Sequence, residues 1–263
     1  MRNTSHRYYF EGTTTEEKMN RFDIPIHGLT EEYPDVFEQV KLANLRYKKG
    51  DFTIAAQIWE DAADVGNDEA AYRLAKMLKE TESYPMQRLE RFRKSERLLR
   101  ALWNRYSNYR IDLELADLYY RCGTGKYASA LGHLLRAKLN GAQVEAELVE
   151  AYQKRLSKES VDVSNDPHGA YLLGCALVDS GAVEKGVYFL EQAIEYGRNS
   201  KWVAYAALEL AQACEGCRGY ERLRYSALKQ AEDLGFPEVL CPKKQEYYGE
   251  ICTPERSLMW NML

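Results

Sequence analysis

Several things that would mark a catalyst or a membrane protein are missing from these 263 residues. Histidine occurs only at His6, His27, His133 and His168, too scattered for a His-x3-His metal pair or a Ser-His-Asp set drawn from neighbouring positions. There is no long apolar run, and the opening MRNTSHRYYFEGTTTEEKMN lacks the apolar stretch of a signal peptide. We therefore expect a cytoplasmic chain with no membrane association. Excess positive charge is also absent: the net charge is −4 and the isoelectric point about 5.8, so nothing global attracts nucleic acid or an anionic membrane. Six cysteines at irregular spacing do not form the disulfide framework of a short secreted domain. Cys214-Glu-Gly-Cys217 is a CxxC with Cys241 and Cys252 further on, but the 23 and 10 intervening residues are not a zinc-knuckle spacing. No βαβ pattern accompanies it, so buried, inert thiols are the expectation. Gly123-Thr-Gly-Lys126 lacks both the full GxxxxGK[ST] spacing and a preceding strand, and reads as a turn. We expect no catalytic, cofactor-binding or metal site.

What the chain does contain is small and large apolar residues at helical spacing. In Leu42 to Gly66, Phe52, Ala55, Ala56, Trp59, Ala62 and Ala63 share one stripe of a helix that Gly66 ends. The alanines admit a neighbouring helix closely and Trp59 fills the space beside them, so the stripe needs a partner to be buried. The pattern returns. Trp59-x2-Ala62-x3-Gly66 is followed by Leu134-x2-Ala137-x3-Gly141, Leu190-x2-Ala193-x3-Gly197 and Leu228-x2-Ala231-x3-Gly235, with a degenerate Leu98-x2-Ala101-x3-Arg105. Their ends lie 39, 36, 56 and 38 residues apart, a helix-pair period with one long interval. The preceding helix repeats too: Ala43-x-Leu45-x-Tyr47-x2-Gly50 matches Ala116-x-Leu118-x-Tyr120-x2-Gly123.

Over about residues 36 to 240 these features resemble the Sel-one-like repeats, a branch of the tetratricopeptide (TPR) superfamily. The run from Asp68 to Ala75 is similar to that family's first helix. Leu173-Gly174 stands where its Leu-Gly pair would, Gly123-x-Gly125 at its inter-helix turn, and Ala62 to Asn67 is close to its repeat ending. Arg105 and Gly186 depart from the pattern. The resemblance implies an all-α, right-handed solenoid of stacked antiparallel helix pairs, with a concave face that binds another protein or peptide, serving as adaptor or scaffold and not as catalyst. Aligning the first helices on their Leu-Ala or Leu-Gly pairs places Asn44, Tyr47, Lys48, Tyr72, Lys76, Asp117, Tyr120, Arg121, Glu150, Lys154, Tyr171 and Asp179 toward that groove. Tyrosine with lysine or arginine is the composition of interface anchors. An immunity or regulatory-subunit protein dedicated to one cognate partner is an alternative use of such an array.

Composition agrees with a folded array. Hydrophobic residues make up 45%, charged residues 29% and aromatics 12%, which excludes bulk disorder. Twenty tyrosines suit both core and contact surface. We expect an N-terminal extension over 1–35, a repeat array over 36–249 with a bend near 158–166, and a C-terminal tail over 250–263. The extension carries two apolar islands, Tyr8-Tyr9-Phe10 and Ile24-Pro25-Ile26. The apolar end of the tail, Leu258 to Leu263, is read as a cover for the last helix pair, with a partner-binding tail as the alternative. Helices are expected near 36–49, 52–65, 68–80, 88–105, 110–122, 126–139, 143–157, 168–180, 183–196, 200–214 and 219–233. Thr30 or Asp35 is a candidate cap for the first. Asp166-Pro167 is the best-marked start, an acceptor before a proline whose missing N–H costs nothing.

Gln87 to Arg110 is the one charge anomaly. Arg88, Arg91, Arg93, Lys94, Arg97, Arg100, Arg105 and Arg110 face only Glu90 and Glu96, with Phe92, Trp103, Tyr106 and Tyr109 interleaved. Arginine with aromatics grips phosphates and stacks bases. The plainer expectation is a helix with Leu98, Leu99, Leu102 and Trp103 inward, Glu90–Lys94 and Glu96–Arg100 pairs along it, and a solvated basic face. An acidic protein partner ranks above nucleic acid.

Overall fold

A computed structural model describes residues 34–235 apart from 83, 107, 124, 159–162 and 199–200. Thr30, the islands of the extension, the C-terminal tail, Cys241 and Cys252 lie outside the described residues. Within them the chain is helical, with eleven α-helices and no strand. They are α1 (Pro34–Lys48), α2 (Phe52–Asp64), α3 (Asp68–Glu80), α4 (Arg88–Arg105), α5 (Tyr109–Cys122), α6 (Tyr127–Leu139), α7 (Ala146–Lys158), α8 (Pro167–Asp179), α9 (Val183–Tyr196), α10 (Lys201–Ala213) and α11 (Glu221–Asp233). Helix α1 begins at Pro34, so Asp35 sits in its first turn and is not its cap. The helices α1–α5 form one compact unit and α6–α11 a second.

In the first unit each helix packs on the next. Ala55, Ala56, Trp59 and Ala62 of α2 are buried, as their spacing requires, together with Val40 and Ala43 of α1 and Ala70, Leu74, Met77 and Leu78 of α3. The small residues bring the helices close, and the Trp59 ring fills the gap 5.4 Å from that of Tyr47. Gly66 ends the unit with φ +94°, and Asn67 then caps α3 by accepting from the Ala70 N–H at 2.8 Å. Helix α4 returns along α3 in the opposite sense: Arg91 donates to the Thr81 carbonyl and the Ser95 hydroxyl to the Ala75 carbonyl, 2.8 Å away.

Those two contacts set the rotation of α4 and correct the degenerate copy of the repeat. In the other four copies both marked positions are buried. In α4, Ala101 is exposed and Leu98 half-buried, while Leu99 and Leu102 are fully buried. The true core pair is displaced by one residue, and α4 ends on extended Tyr106 where the other copies have glycine.

In the second unit, α8 and α9 are antiparallel and cross at glycines. A Cβ on Gly186 would lie 2.9 Å from the Gly174 carbonyl oxygen, and one on Gly174 only 3.1 Å from the Gly186 carbonyl oxygen. The glycine that departs from the repeat pattern therefore supplies a close approach of two backbones. Helices α6 and α8 also touch, but in parallel: Gly169 lies against the Ser129 amide, and Gly132 against the backbone of Leu172 and Leu173. The residue numbers rise together. Between them α7 runs as one extra helix packed on α6, which accounts for the 56-residue interval. Within this unit the extra helix makes α6 and α8 parallel neighbours in place of the antiparallel neighbours that two consecutive helices would be.

A single carboxylate fixes this junction. Asp166 stands at the N-cap of α8 as its sequence predicts, yet its side chain does not cap α8. It accepts from the Ser129 N–H of α6 at 3.1 Å and pairs with Lys126 at 3.3 Å, and is only 4% exposed. Asp166 thus caps a neighbouring helix. The turn before it, Gly123 to Lys126, is a two-glycine turn with both φ values positive, as expected of that sequence.

Candidate functional site

In the first unit, α3 and α5 run side by side and are joined through polar side chains. Four of the predicted groove residues meet there. The Tyr72 hydroxyl donates to Glu114 at 3.2 Å, and the Lys76 ammonium lies 3.4 Å from the same carboxylate. Arg121 holds Asp117 through Nε at 2.9 Å. Two residues the sequence reading missed tie these pairs together. Lys79, nearly fully buried, reaches Asp117 at 2.6 Å and also bonds Glu114. Lys79 is one turn beyond Lys76, and Glu114 one turn before Asp117, so helical spacing from the predicted residues was signal enough to find both.

The electrostatics follow from burial with two carboxylates around one buried ammonium. Burial, and then the adjacent Glu114 carboxylate, pushes the Tyr72 hydroxyl well above its ordinary range, so it stays a hydrogen-bond donor. At Asp117, burial alone would raise the carboxyl, but hydrogen bonds from Arg121 and Lys79 outweigh it and hold the group below the usual carboxylate range. Lys76 and Arg121 are the exposed members of the network, each with about half of its side chain in solvent. The result is a fixed polar wall, with its charges held in place before anything binds.

The other predicted groove residues are not part of this wall. Tyr47 is half-buried, packed edge-on to Phe52 and against Trp59, and so belongs to the edge of the core. Asn44 is half-buried, Lys48 is exposed at the end of α1, and Tyr120 is half-buried on α5. In the second unit the four predicted residues do not converge. Glu150 and Lys154 are exposed on α7 and Asp179 at the end of α8. Tyr171 is buried, 6.2 Å from the Trp202 ring and 6.2 Å from that of His168, so it is an internal packer and not groove surface.

The basic segment is largely consumed by the fold. Lys94 pairs with Glu60 of α2 and not with Glu90 as expected, Arg105 pairs with Asp68, and Arg88 donates to the Arg121 carbonyl at 3.0 Å. Glu96 and Arg100 do pair, loosely, at 3.9 Å. Three of the four interleaved aromatics turn inward. Phe92 and Tyr106 are buried, Tyr106 bonds Asp68, and the Trp103 N–H donates to Asp112 at 2.8 Å. Leu99 and Leu102 make the expected core, with Leu98 and Trp103 half-buried at its margin.

The two CxxC thiols lie at the end of α10. Cys214 is buried, and desolvation, with Cys217 beside it, pushes its thiol up to about 11. Cys217 makes a 3.5 Å contact with the Ala213 carbonyl, as a helix-end thiol does. No group of three or more metal-ligating side chains occurs among the described residues, and no helix there is long and apolar enough to cross a membrane. No protein-family model matches this chain, and a search of curated proteins finds no match.

Proposed function

We propose that the chain is a non-catalytic interaction scaffold: a helical-repeat solenoid of the Sel-one-like type that holds a partner protein or peptide against the exposed side of its first helices. The observation that carries this reading is the α3–α5 wall. The repeat positions of Tyr72, Lys76, Asp117 and Arg121 place them toward one groove, and they come together with fixed charges of both signs. Preorganised donors and acceptors beside tyrosine give a partner orientation and register without the cost of ordering long side chains. The same wall suits an immunity or regulatory subunit that controls one cognate protein, which differs only in how many partners it serves. The proposed working compartment is the cytoplasm.

The test is purification of the tagged full chain from its host at moderate and high salt, against a Lys76→Glu/Arg121→Glu variant. Both residues pair with carboxylates of the wall, so unchanged helical circular dichroism of the variant is checked first, and a stoichiometric partner should drop at least tenfold, about 1.4 kcal/mol. A partner retained equally by both proteins places the binding face elsewhere and overturns the groove reading.

A further inference from the structure

The first unit has an open end. Its first helix, α1, packs on α2 and buries Val40 and Ala43, while Leu42 and Leu45 are 44% and 55% exposed. Three residues apart, they stand one turn apart on one face of α1. Ile54 of α2 is exposed as well, at 48%. The Tyr47 and Phe52 rings meet 5.5 Å apart across the turn, which brings Leu45 and Ile54 to the same level of the two antiparallel helices. Ile54 also lies about 120° around α2 from Glu60, the residue that pairs with Lys94 of α4. It therefore faces away from α4, toward the end where no described helix precedes α1. The charges beside the leucines are already matched, Glu38 with Lys41 at 2.8 Å and Arg46 with Asp51 at 3.3 Å. A stacked array needs a polar outer face at its ends. Helix α11, the last described helix, has one, with no large apolar side chain exposed. Helix α1 does not.

We infer that Ile24-Pro25-Ile26 of the same chain, which lies outside the described residues, covers this end by packing its two isoleucines on Leu42 and Leu45. Reach and connection choose the occupant. Helix α1 begins at Pro34, eight residues after Ile26. Eight residues span up to about 26 Å, and Leu42 and Leu45 lie only about 12 and 17 Å along α1 from its start. The segment can thus double back beside the helix with length to spare. Its tether gives it an effective concentration of about millimolar, which a separate partner or a second copy has to exceed. Tyr8-Tyr9-Phe10 ends 24 residues before Pro34, and closing that longer loop costs more. Chemistry agrees with reach. Proline turns the residue before it away from the helical region, so Ile24 favours extended backbone, in which side chains two apart point to one side. Two isoleucines about 6–7 Å apart then meet two leucines about 5–6 Å apart, and Pro25 has no N–H left to satisfy. No groove residue takes part, so the cover stands independently of the scaffold reading.

Hydrogen exchange of the full chain, read by mass spectrometry, tests this against Leu42→Gln/Leu45→Gln and Ile24→Ser/Ile26→Ser. Amides within 22–28 should exchange about tenfold or more slower than in a free peptide of the same sequence. That protection should vanish in the leucine variant, with helical circular dichroism unchanged. Anilinonaphthalene sulfonate, an apolar dye, gives a second reading in which the helices are untouched. Ile24→Ser/Ile26→Ser should raise its fluorescence severalfold by uncovering the leucines, and adding Leu42→Gln/Leu45→Gln should return it to the parent's level. Free exchange at 22–28 in the parent, protection that survives the leucine variant, or dye binding indifferent to the isoleucines would each overturn the proposal. So would a parent that is dimeric by light scattering and monomeric in the leucine variant, because a second copy would then hold the face.

Discussion

Trp59 shows how a single side chain can be both necessary and replaceable. It is 2% exposed at the meeting of α1, α2 and α3, but its indole N–H finds no acceptor among the described residues. Trp59→Ala should cost about 3–5 kcal/mol in urea unfolding. Trp59→Phe, which keeps most of the ring and removes an unsatisfied donor, should cost much less. Equal losses would mean that the ring does not fill the helix-pair core. Asp117 makes the pH-dependent counterpart. Its native pKa is depressed, so its contribution is fully present above the ordinary value of 3.8 and disappears as the pH falls through the lower native value. Asp117→Asn should therefore lower stability at pH 7 by about 1 kcal/mol, discounted because a third of the side chain is in solvent. The gap between variant and parent should close as the pH drops below 3.8. A gap that is constant with pH would show that the carboxylate's charge is not what matters.

Among elements, the α8–α9 crossing tolerates little added volume. Both glycines sit where a methyl group would meet a carbonyl oxygen at about 3 Å. Gly186→Ala should lower stability by about 1–3 kcal/mol, measurable as a shift in urea midpoint. An alanine accommodated without loss would mean that the two helices are free to separate. Element existence was legible because apolar spacing is a local property: among the described residues eleven helices stand where eleven are expected, with ends displaced by at most three residues. What was not legible depended on rotation and direction. The one-residue displacement of the α4 core comes from Arg91 and Ser95 bonding to α3, partners distant in sequence. The parallel packing of α6 and α8 follows from an odd helix, which a repeat count records only as a long interval. At the site the pattern found Tyr72, Lys76, Asp117 and Arg121. It passed over Lys79 and Glu114, because a buried lysine is read as solvated until its two carboxylates are seen.

For the whole chain, two cores mean that damage should add. Trp59 and Leu190 are buried in different units and share no neighbour. Leu190→Ala should cost about 2–5 kcal/mol, and the double variant with Trp59→Ala should equal the sum of the singles to within about 0.5 kcal/mol. A larger discrepancy would show that the cores are energetically joined. The second unit, by contrast, is bound together internally by the carboxylate of Asp166, and this has a consequence for a chain made from its N-terminus. The amide it caps at Ser129 is made 37 residues earlier. At ordinary rates of synthesis, about 5–20 residues per second, α6 leaves the ribosome and waits roughly 2–7 s for the group that completes its first turn. During that interval the first turn of α6 is an open set of N–H groups that only water satisfies.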